Sequence, residues 1–347
     1  MSATYCPPVA RVESDVAPEV CAGGLGEVVE VLRERSSQVA ALGGVQADGL
    51  LACLAMIPDP RHRRGVRYTL ASIVALCLAA VLCGEKTRTD IVAWVAAAPC
   101  WLLAAAGVPM RRGALRAPHA DTVERLLLSV DGQAADDVLG GWFALRAGLG
   151  IITGPGPGPR AETESEMEPP PVLLVDGQPA AVAVDGKALA GAVDPVSGRA
   201  MFLLAAATHT ATSVLVAVCV PKSNEIPSFA PLLAGLELTG VVLTMDGLHT
   251  QRAHANPAQL AVLVRGHWSI EAMHFVRDVT FREDASTIAT GSRPRLMATL
   301  RNISIGLIRQ SGTRRIAATI RKLKHDPCQL LAMLGLEPHP KWAPDQP

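Results

Sequence analysis

The sequence predicts two parts of different structure, an all-helical N-terminal half and an α/β C-terminal half that closes with further helices. Three observations predict this. Before residue 150 apolar residues recur at helical spacing, a run rich in Gly, Pro and Glu can bury almost nothing, and beyond it short runs of Val, Leu, Ala and Thr have the period of strands. The predicted divisions are an irregular tail at 1–45, a helical domain at 46–150, a linker at 151–171, an α/β core at 172–336 and a tail at 337–347.

Composition indicates a globular protein. With 347 residues, of which 49% are apolar and 18% charged, the chain has material for about two domains. The formal net charge is zero, but residues 251–326 hold thirteen Arg or Lys and five Asp or Glu, so this region is a candidate for contact with a polyanion. The most apolar stretch, 70–84, is too short to cross a bilayer, which takes roughly 20 residues, and is interpreted as a buried helix. No signal peptide is evident and the eight cysteines include no Cys-x-x-Cys pair, so we expect a cytoplasmic protein with no membrane partner.

Apolar spacing predicts helices in the N-terminal half at 50–54, 68–82, 89–98, 118–128 and 134–147. A basic turn, rich in Pro and Arg, separates the first two. In the helix at 118–128 we expect Asp121 as the N-cap, because Glu124 follows at the capping-box spacing. Pro99 would end the helix at 89–98.

In the C-terminal half, strands are predicted at 180–186, 200–208, 212–220 and 241–245, with a helix at 227–236 before the last of them. Three strands, a helix and a fourth strand form the opening order of an RNase H-like sheet. A long helix begins at Pro257, and two more follow at 296–310 and 313–324. At 100° per residue, one face of the long helix is apolar at its start and polar further on. That face holds Leu260, Leu263, Val264, His267, Glu271, His274 and Asp278.

Three carboxylates lie on or directly after these elements. Asp185 and Asp246 each follow an apolar strand, and Glu271 lies on the polar part of the helical face. Two-metal sites that act on phosphodiesters hold divalent cations about 3.5–4 Å apart, and Mg²⁺ prefers carboxylate oxygens. An Asp-Gly pair after a strand is more often only a turn. The conjunction of all three residues therefore predicts the site, for Mg²⁺ with Mn²⁺ as a substitute.

Two histidines accompany Glu271 on the helix. The spacing of His267, Glu271 and His274 suits a transition metal held from one helical face, which keeps a zinc-dependent hydrolase open as an alternative. No further ligand stands out. We expect both histidines to contact phosphate or to hydrogen-bond Glu271; the alternative is that they are ordinary surface or core residues.

Several basic residues are candidates for DNA contact, because each phosphate they neutralise adds salt-sensitive affinity. Lys187 closely follows Asp185, and Lys222 lies in a polar loop. Arg61, Arg63 and Arg64 belong to the basic turn of the N-terminal half. A solvated loop or turn is the alternative interpretation for all of them.

Longer stretches resemble the IS-As1-type (H-repeat-associated) transposases of the DDE superfamily, over roughly residues 48 to 336 and in that family's order. The stretches that carry the resemblance are 57–61 (Ile-Pro-Asp-Pro-Arg) with Gly65 and Tyr68, 183–187 (Ala-Val-Asp-Gly-Lys), 222–226 (Lys-Ser-Asn-Glu-Ile), 244–251 (Thr-Met-Asp-Gly-Leu-His-Thr-Gln), 265–271 (Arg-Gly-His-Trp-Ser-Ile-Glu) with His274, 277–281 (Arg-Asp-Val-Thr-Phe) with Glu283 and Asp284, and 300–302 (Leu-Arg-Asn).

The resemblance implies a helical associated domain, an RNase H-like core and Mg²⁺-dependent DNA cleavage and strand transfer at insertion-sequence ends. Its acidic triad falls on Asp185, Asp246 and Glu271. The implied partners are element ends and target DNA, with a homo-oligomer assembled on the DNA, and the implied location is the bacterial cytoplasm, with association to the nucleoid.

One departure from the family is large. Such transposases have a long segment between the second Asp and the Glu, including a strand that ends in Lys-Gly-Asn-Gln, whereas here 24 residues intervene and that motif is absent. Ala190 and Ala272 also replace an expected Arg and Asn. An in-frame deletion that removes the fifth strand, an edge strand, would explain the large departure. The expected fold is therefore an incomplete mixed sheet whose fourth strand has unpaired backbone groups. The expected function is a DDE transposase, whose activity the deletion can abolish; the alternative is a non-catalytic DNA-binding remnant that occupies element ends or modulates full-length transposase.

Overall fold

The computed structural model shows a helix-rich fold around a small, partial mixed sheet, which agrees with an α/β core at this coarse level. The predicted linker, Lys222 and Asp246 lie outside the residues that the structure describes. The described residues are 9–10, 49–64, 66–146, 174–175, 178–193, 199–209, 214–221, 232–233, 241–245, 257–285 and 293–342.

The described residues from 49 to 146 form helices joined by turns, as predicted for 46–150. The helices are α1 (Leu50–Leu54), α2 (Leu70–Leu82), α3 (Arg88–Ala96), α4 (Cys100–Ala105), α5 (Ala120–Ser129) and α6 (Gly132–Arg146). Every residue of α2 is buried, which explains the apolar stretch that the sequence shows at this place. Thr69 caps α2 by accepting a hydrogen bond from the Ser72 backbone N–H at 3.0 Å. Helix α4 follows Pro99 directly and was not predicted.

The predicted N-cap of α5 is wrong. The helix begins at Ala120 with His119 as its N-cap, and the His119 ring nitrogen Nδ1 accepts from the Asp121 backbone N–H at 3.3 Å. Glu124, the other half of the expected capping box, instead forms an ion pair with Arg88 on α3. A tertiary partner has therefore taken the carboxylate that local spacing assigned to the cap.

The described strands are β1 (Val9–Ala10), β2 (Leu174–Val175), β3 (Gln178–Pro179), β4 (Ala181–Val193), β5 (Ala200–Thr208), β6 (Val214–Pro221) and β7 (Val242–Met245). Among the described residues, the main sheet has five strands in the order β6, β5, β4, β7, β1, and β2 and β3 form a separate antiparallel pair. The first three long strands pair antiparallel in sequence order, and β7 pairs parallel with β4. The sheet is therefore mixed, with the third, second, first and fourth predicted strands side by side.

Asp185 lies inside a strand and not at its end, which corrects the prediction of a strand at 180–186. The described parallel pairing with β7 runs to Met245, the last described residue of that segment, which lies opposite Val184. The antiparallel pairing with β5 continues through Ala188 opposite Phe202 and holds β4 extended past Asp185.

The far edge of β7 is paired, although the sequence predicted unpaired backbone groups there. The two residues of β1 lie antiparallel to it, with Val9 opposite Thr244 and Ala10 opposite Leu243. An open strand edge is a template for any extended segment within reach. A short piece of the N-terminal tail fills that role here.

The C-terminal half ends in helices that pack back on the N-terminal half. They are α7 (Pro257–Val279), a short 3-10 helix (Glu283–Ala285), α8 (Arg293–Gln310), α9 (Ile316–Leu323) and α10 (Pro327–Leu334). Helix α10 was not predicted; Asp326 caps its start and Gly335, with φ of 64°, ends it.

One hydrophobic cluster joins residues of the N-terminal helices, β4, β5 and the C-terminal helices. Helices α6 and α8 pack closely, since a Cβ on Gly306 would lie 2.6 Å from the Phe143 ring. Helices on both sides of the predicted linker therefore share a core. Within the described ranges, no helix has both the length and the apolar character that crossing a membrane requires.

Candidate metal centre

Helix α7 lies along β4 and β7 and runs in the same direction as both strands. From its first half to its end, the successive contacts are Leu263 with Ala181 and Val242, His267 with Thr244, His274 with Asp185, and Asp278 with Lys187. Alternate strand residues share a face, as do helix residues three or four apart. The sheet face that carries Asp185 and Lys187 is thus covered by the polar part of α7, the same helical face that the sequence predicted.

Asp185, Glu271 and His274 form a compact cluster between β4 and α7. One ligand atom from each residue lies within 4.8 Å of the other two. The Nδ1 atom of His274 lies 3.3 Å from the Asp185 carboxylate, and the other Asp185 oxygen accepts from the Gly186 backbone N–H at 2.8 Å. His274 is buried, Asp185 is half-buried and Glu271 is exposed. The cluster therefore opens to solvent on the Glu271 side.

Lys187 does not neutralise this cluster. Its Nζ lies 2.7 and 2.8 Å from the two carboxylate oxygens of Asp278 and 3.4 Å from Asp284, and the side chain is 11% exposed. The ion pair ties β4 to α7 one strand repeat beyond Asp185 and one helical turn beyond His274. Contact of Lys187 with DNA stays a prediction, and its ammonium group would have to serve these carboxylates at the same time.

His267 belongs to a different group of side chains. Thr244 Oγ1 lies 2.9 Å from His267 Nδ1 and 2.7 Å from His209 Nε2, so the hydroxyl bridges two imidazoles. A Cβ on Gly266 would lie 2.1 Å from the His209 ring, so only glycine allows α7 to come this close. Burial, and then the neighbouring His267, lower the pKa of His209 from 6.5 to about 4. Among the described residues, His267 is outside the metal-competent cluster, so the zinc alternative that the sequence left open loses one of its three ligands.

A buried ionic cluster anchors the end of α7. Arg277 is 0% exposed and donates to both oxygens of Glu283, at 2.6 and 2.8 Å; Arg301 of α8 donates to the same carboxylate at 2.9 Å. Arg301 also donates to the Lys86 carbonyl, 3.4 Å away, between α2 and α3. Burial acts to raise the Glu283 pKa, but the two guanidinium groups outweigh it and hold the pKa below its usual value.

The other predicted DNA contacts differ in how their side chains are held. Arg61 is held by its own turn, with two hydrogen bonds to Asp59 at 2.8 and 2.6 Å and a third to the Tyr68 carbonyl at 2.9 Å. Arg63 and Arg64 are exposed. Lys222, a further predicted DNA contact, lies outside the described residues, and so does Asp246, the third predicted metal ligand.

The donor set suits a divalent cation. Two carboxylates and an imidazole meet at one place, and the nearby lysine is engaged by other carboxylates. Oxygen ligands are those that Mg²⁺ and Mn²⁺ prefer, and imidazole is a further ligand for transition metals. A cation would offset the repulsion between Asp185 and Glu271.

Sequence reasoning missed the ionic partners around the cluster. Arg277 carries a usable signal, because it lies four residues after Met273 and seven after Ile270, on the buried face of α7. A charged residue at such a position predicts a buried ion pair. His209 carries no comparable signal, since its role depends on where the end of β5 meets α7.

Comparison with known families gives a match for part of the chain. Residues 51–143 match the family described as DDE_Tnp_1-associated. The match indicates a transposase-associated domain and a relation to DDE-type transposases, in agreement with the resemblance that the sequence shows. No curated protein and no solved structure has significant similarity to the chain. The IS-As1 type and the internal deletion stay predictions.

Proposed function

We propose that this chain is a DDE transposase that binds divalent cations between β4 and α7 and acts on the ends of an insertion sequence. The observation that carries the proposal is the meeting of Asp185 and Glu271, two carboxylates from distant parts of the chain that the sequence alone predicts to be metal ligands. The transposase-associated match of residues 51–143 supports the same function independently.

Asp246 is proposed as the third carboxylate of the site. Its own position lies outside the described residues, but Met245, the residue before it, pairs with Val184, the residue before Asp185. Neighbouring parallel strands place residues of equal register about 4.8 Å apart. The described register therefore supports a site that draws on both strands.

In the proposed reaction Asp185, Asp246 and Glu271 bind and orient the cations, while the Lys187–Asp278 pair keeps α7 in register with β4. When bound, divalent cations activate a water nucleophile and stabilise the leaving oxygen of a phosphodiester. Exposure of Glu271 leaves the cluster open on the side from which a DNA strand would approach. The protein thus supplies a fixed set of ligands on two rigid elements.

The test uses the full chain, Mg²⁺ or Mn²⁺, and a plasmid that carries the gene with its flanking DNA. We expect nicking at the element ends, and a loss of at least about 100-fold for Asp185→Asn and for Glu271→Gln, since each removes a charged ligand. Glu337→Gln, the same change at an exposed residue, is the matched control. Cleavage that survives both site substitutions would overturn the proposed site.

The alternative function, a non-catalytic DNA-binding remnant, is favoured by one observation, the short interval of 24 residues between Asp246 and Glu271. It predicts that the unaltered protein does not nick the plasmid. It also predicts binding to an end-containing duplex, measured by fluorescence anisotropy, that weakens with salt and is unchanged by Asp185→Asn or Glu271→Gln. Nicking by the unaltered protein would exclude this alternative.

A further inference from the structure

His274 differs from the other histidines near the cluster in how its ring is surrounded. It is 9% exposed, its Nδ1 faces the Asp185 carboxylate at 3.3 Å, and its Nε2 is buried with no hydrogen-bond partner in the described structure. A neutral imidazole has one N–H and one lone pair. Nδ1 is therefore the ring nitrogen that lies at the cluster, and its lone pair is free for a ligand in the tautomer that carries the proton on Nε2.

The ring nitrogen that faces Asp185 is the candidate ligand atom. Nδ1 and Nε2 point in different directions from the ring, so only one of them can bind a given ion, and Nδ1 is the one that lies 3.3 Å from the Asp185 carboxylate. A ring nitrogen of His274 belongs to the same group of ligand atoms as the carboxylate oxygens of Asp185 and Glu271.

The spacing of these atoms fits a single ion. A cation with ligands at about 2.2 Å places adjacent donors about 3.1 Å apart and opposite donors about 4.4 Å apart. The Asp185–His274 separation of 3.3 Å matches adjacent donors, and the upper limit of 4.8 Å for the cluster is close to that of opposite donors.

We propose that His274 is a direct ligand of the bound cation, together with Asp185 and Glu271, and that this mixed nitrogen and oxygen set selects Mn²⁺ over Mg²⁺. The proposal deepens the proposed function and depends on the same site. Imidazole is a good ligand for transition metals and a poor one for Mg²⁺, so replacing one oxygen ligand by nitrogen shifts the preference of the site.

The experiment measures the nitrogen ligand itself. Full-length protein without a histidine tag is loaded with Mn²⁺, and pulsed electron paramagnetic resonance is used to detect ¹⁴N coupling to the metal. We expect coupling in the unaltered protein, its loss in His274→Ala, and its retention in His325→Ala, a matched change at an exposed histidine in the turn between α9 and α10. Mn²⁺ affinity should fall at least about tenfold in His274→Ala, as for the loss of other metal-site groups.

A second variant covers the case in which the alanine substitution prevents folding. His274→Asp restores an all-oxygen ligand set, and we expect it to bind Mn²⁺ without ¹⁴N coupling and with a reduced preference over Mg²⁺ in competition titrations. An unchanged preference would count against His274 as a ligand.

The outcomes separate this inference from the proposed function. Mn²⁺ bound to the unaltered protein without ¹⁴N coupling overturns the role of His274 and leaves the cation site and transposase activity standing. Coupling in a protein that does not cleave DNA supports the role of His274 and overturns the activity. Failure to bind Mn²⁺ at millimolar concentration overturns both.

Discussion

At the scale of one residue, the surroundings of His209 in the fold determine its pKa. Its ring lies against Gly266 and bonds to Thr244, and burial together with His267 lowers its pKa from 6.5 to about 4. Between these values the unfolded chain binds a proton that the folded protein does not. The contribution of His209 to the free energy of unfolding is therefore fully present above pH 6.5 and is lost as the pH falls toward 4.

The pH prediction compares His209→Gln with the unaltered protein in urea unfolding at pH 7 and pH 5. We expect the unaltered protein to lose about 1–2 kcal/mol more of its free energy of unfolding than the variant over this interval. The difference between proteins is the readout, because burial also raises the pKa of Asp137 to about 6, and that group titrates in the same range with the opposite effect. Equal pH slopes would show that folding does not lower the pKa of His209.

At the scale of elements, the site depends on how α7 lies on β4. The Asp185–His274 contact and the Lys187–Asp278 pair form two successive links between strand and helix. The two links are spaced equally on both elements, because the two residues from Asp185 to Lys187 span about 6.6 Å of strand and the four residues from His274 to Asp278 span about 6 Å of helix. The second link therefore fixes the register that brings Glu271 toward Asp185.

A charge reversal tests this second link. Lys187→Glu and Asp278→Lys should each destabilise the protein to urea, and the double variant should recover part of the loss, with a coupling energy of about 1–3 kcal/mol. Asp284→Asn is the control, since Asp284 is 58% exposed and more distant from the ammonium group at 3.4 Å, and it should change stability by less than about 0.5 kcal/mol. Strictly additive effects of the two reversals would contradict a direct link.

The predictability of elements follows their length and apolar pattern. The buried helix α2 and the long helix α7 were predicted closely, because their apolar residues recur over several turns. The cap of α5 and the continuation of β4 past Asp185 were not, since the first depends on Arg88 and the second on pairing with β5. Local spacing does not contain these partners.

At the scale of the whole molecule, the buried cluster of Arg277, Glu283 and Arg301 connects the sheet-covering helix to the N-terminal half. All three side chains are at most 3% exposed, and Arg301 reaches the Lys86 carbonyl. Two cations therefore depend on one carboxylate in a region without solvent. Removing that carboxylate leaves both charges buried and uncompensated.

Glu283→Gln is expected to lower the free energy of unfolding by about 3–5 kcal/mol, measured by urea or thermal unfolding. Glu337→Gln should leave it within about 0.5 kcal/mol. The triple change of Arg277→Met, Glu283→Leu and Arg301→Met should recover much of the loss, because apolar groups can replace a complete buried ion cluster. A small effect of Glu283→Gln would mean that water reaches the cluster.

The sequence by itself determined the helical and α/β halves and the order of the main strands along the chain, because the apolar period is a local property. It also identified Asp185 and Glu271, the two carboxylates that meet, by their chemistry and their place on these elements. Only the tertiary structure decided what surrounds them. It places His274 with the carboxylates and His267 with Thr244, and it gives Lys187 to Asp278 and Asp284. These assignments follow from the position of α7 across β4 and β7, where a few ångströms decide which of two similar side chains reaches the site.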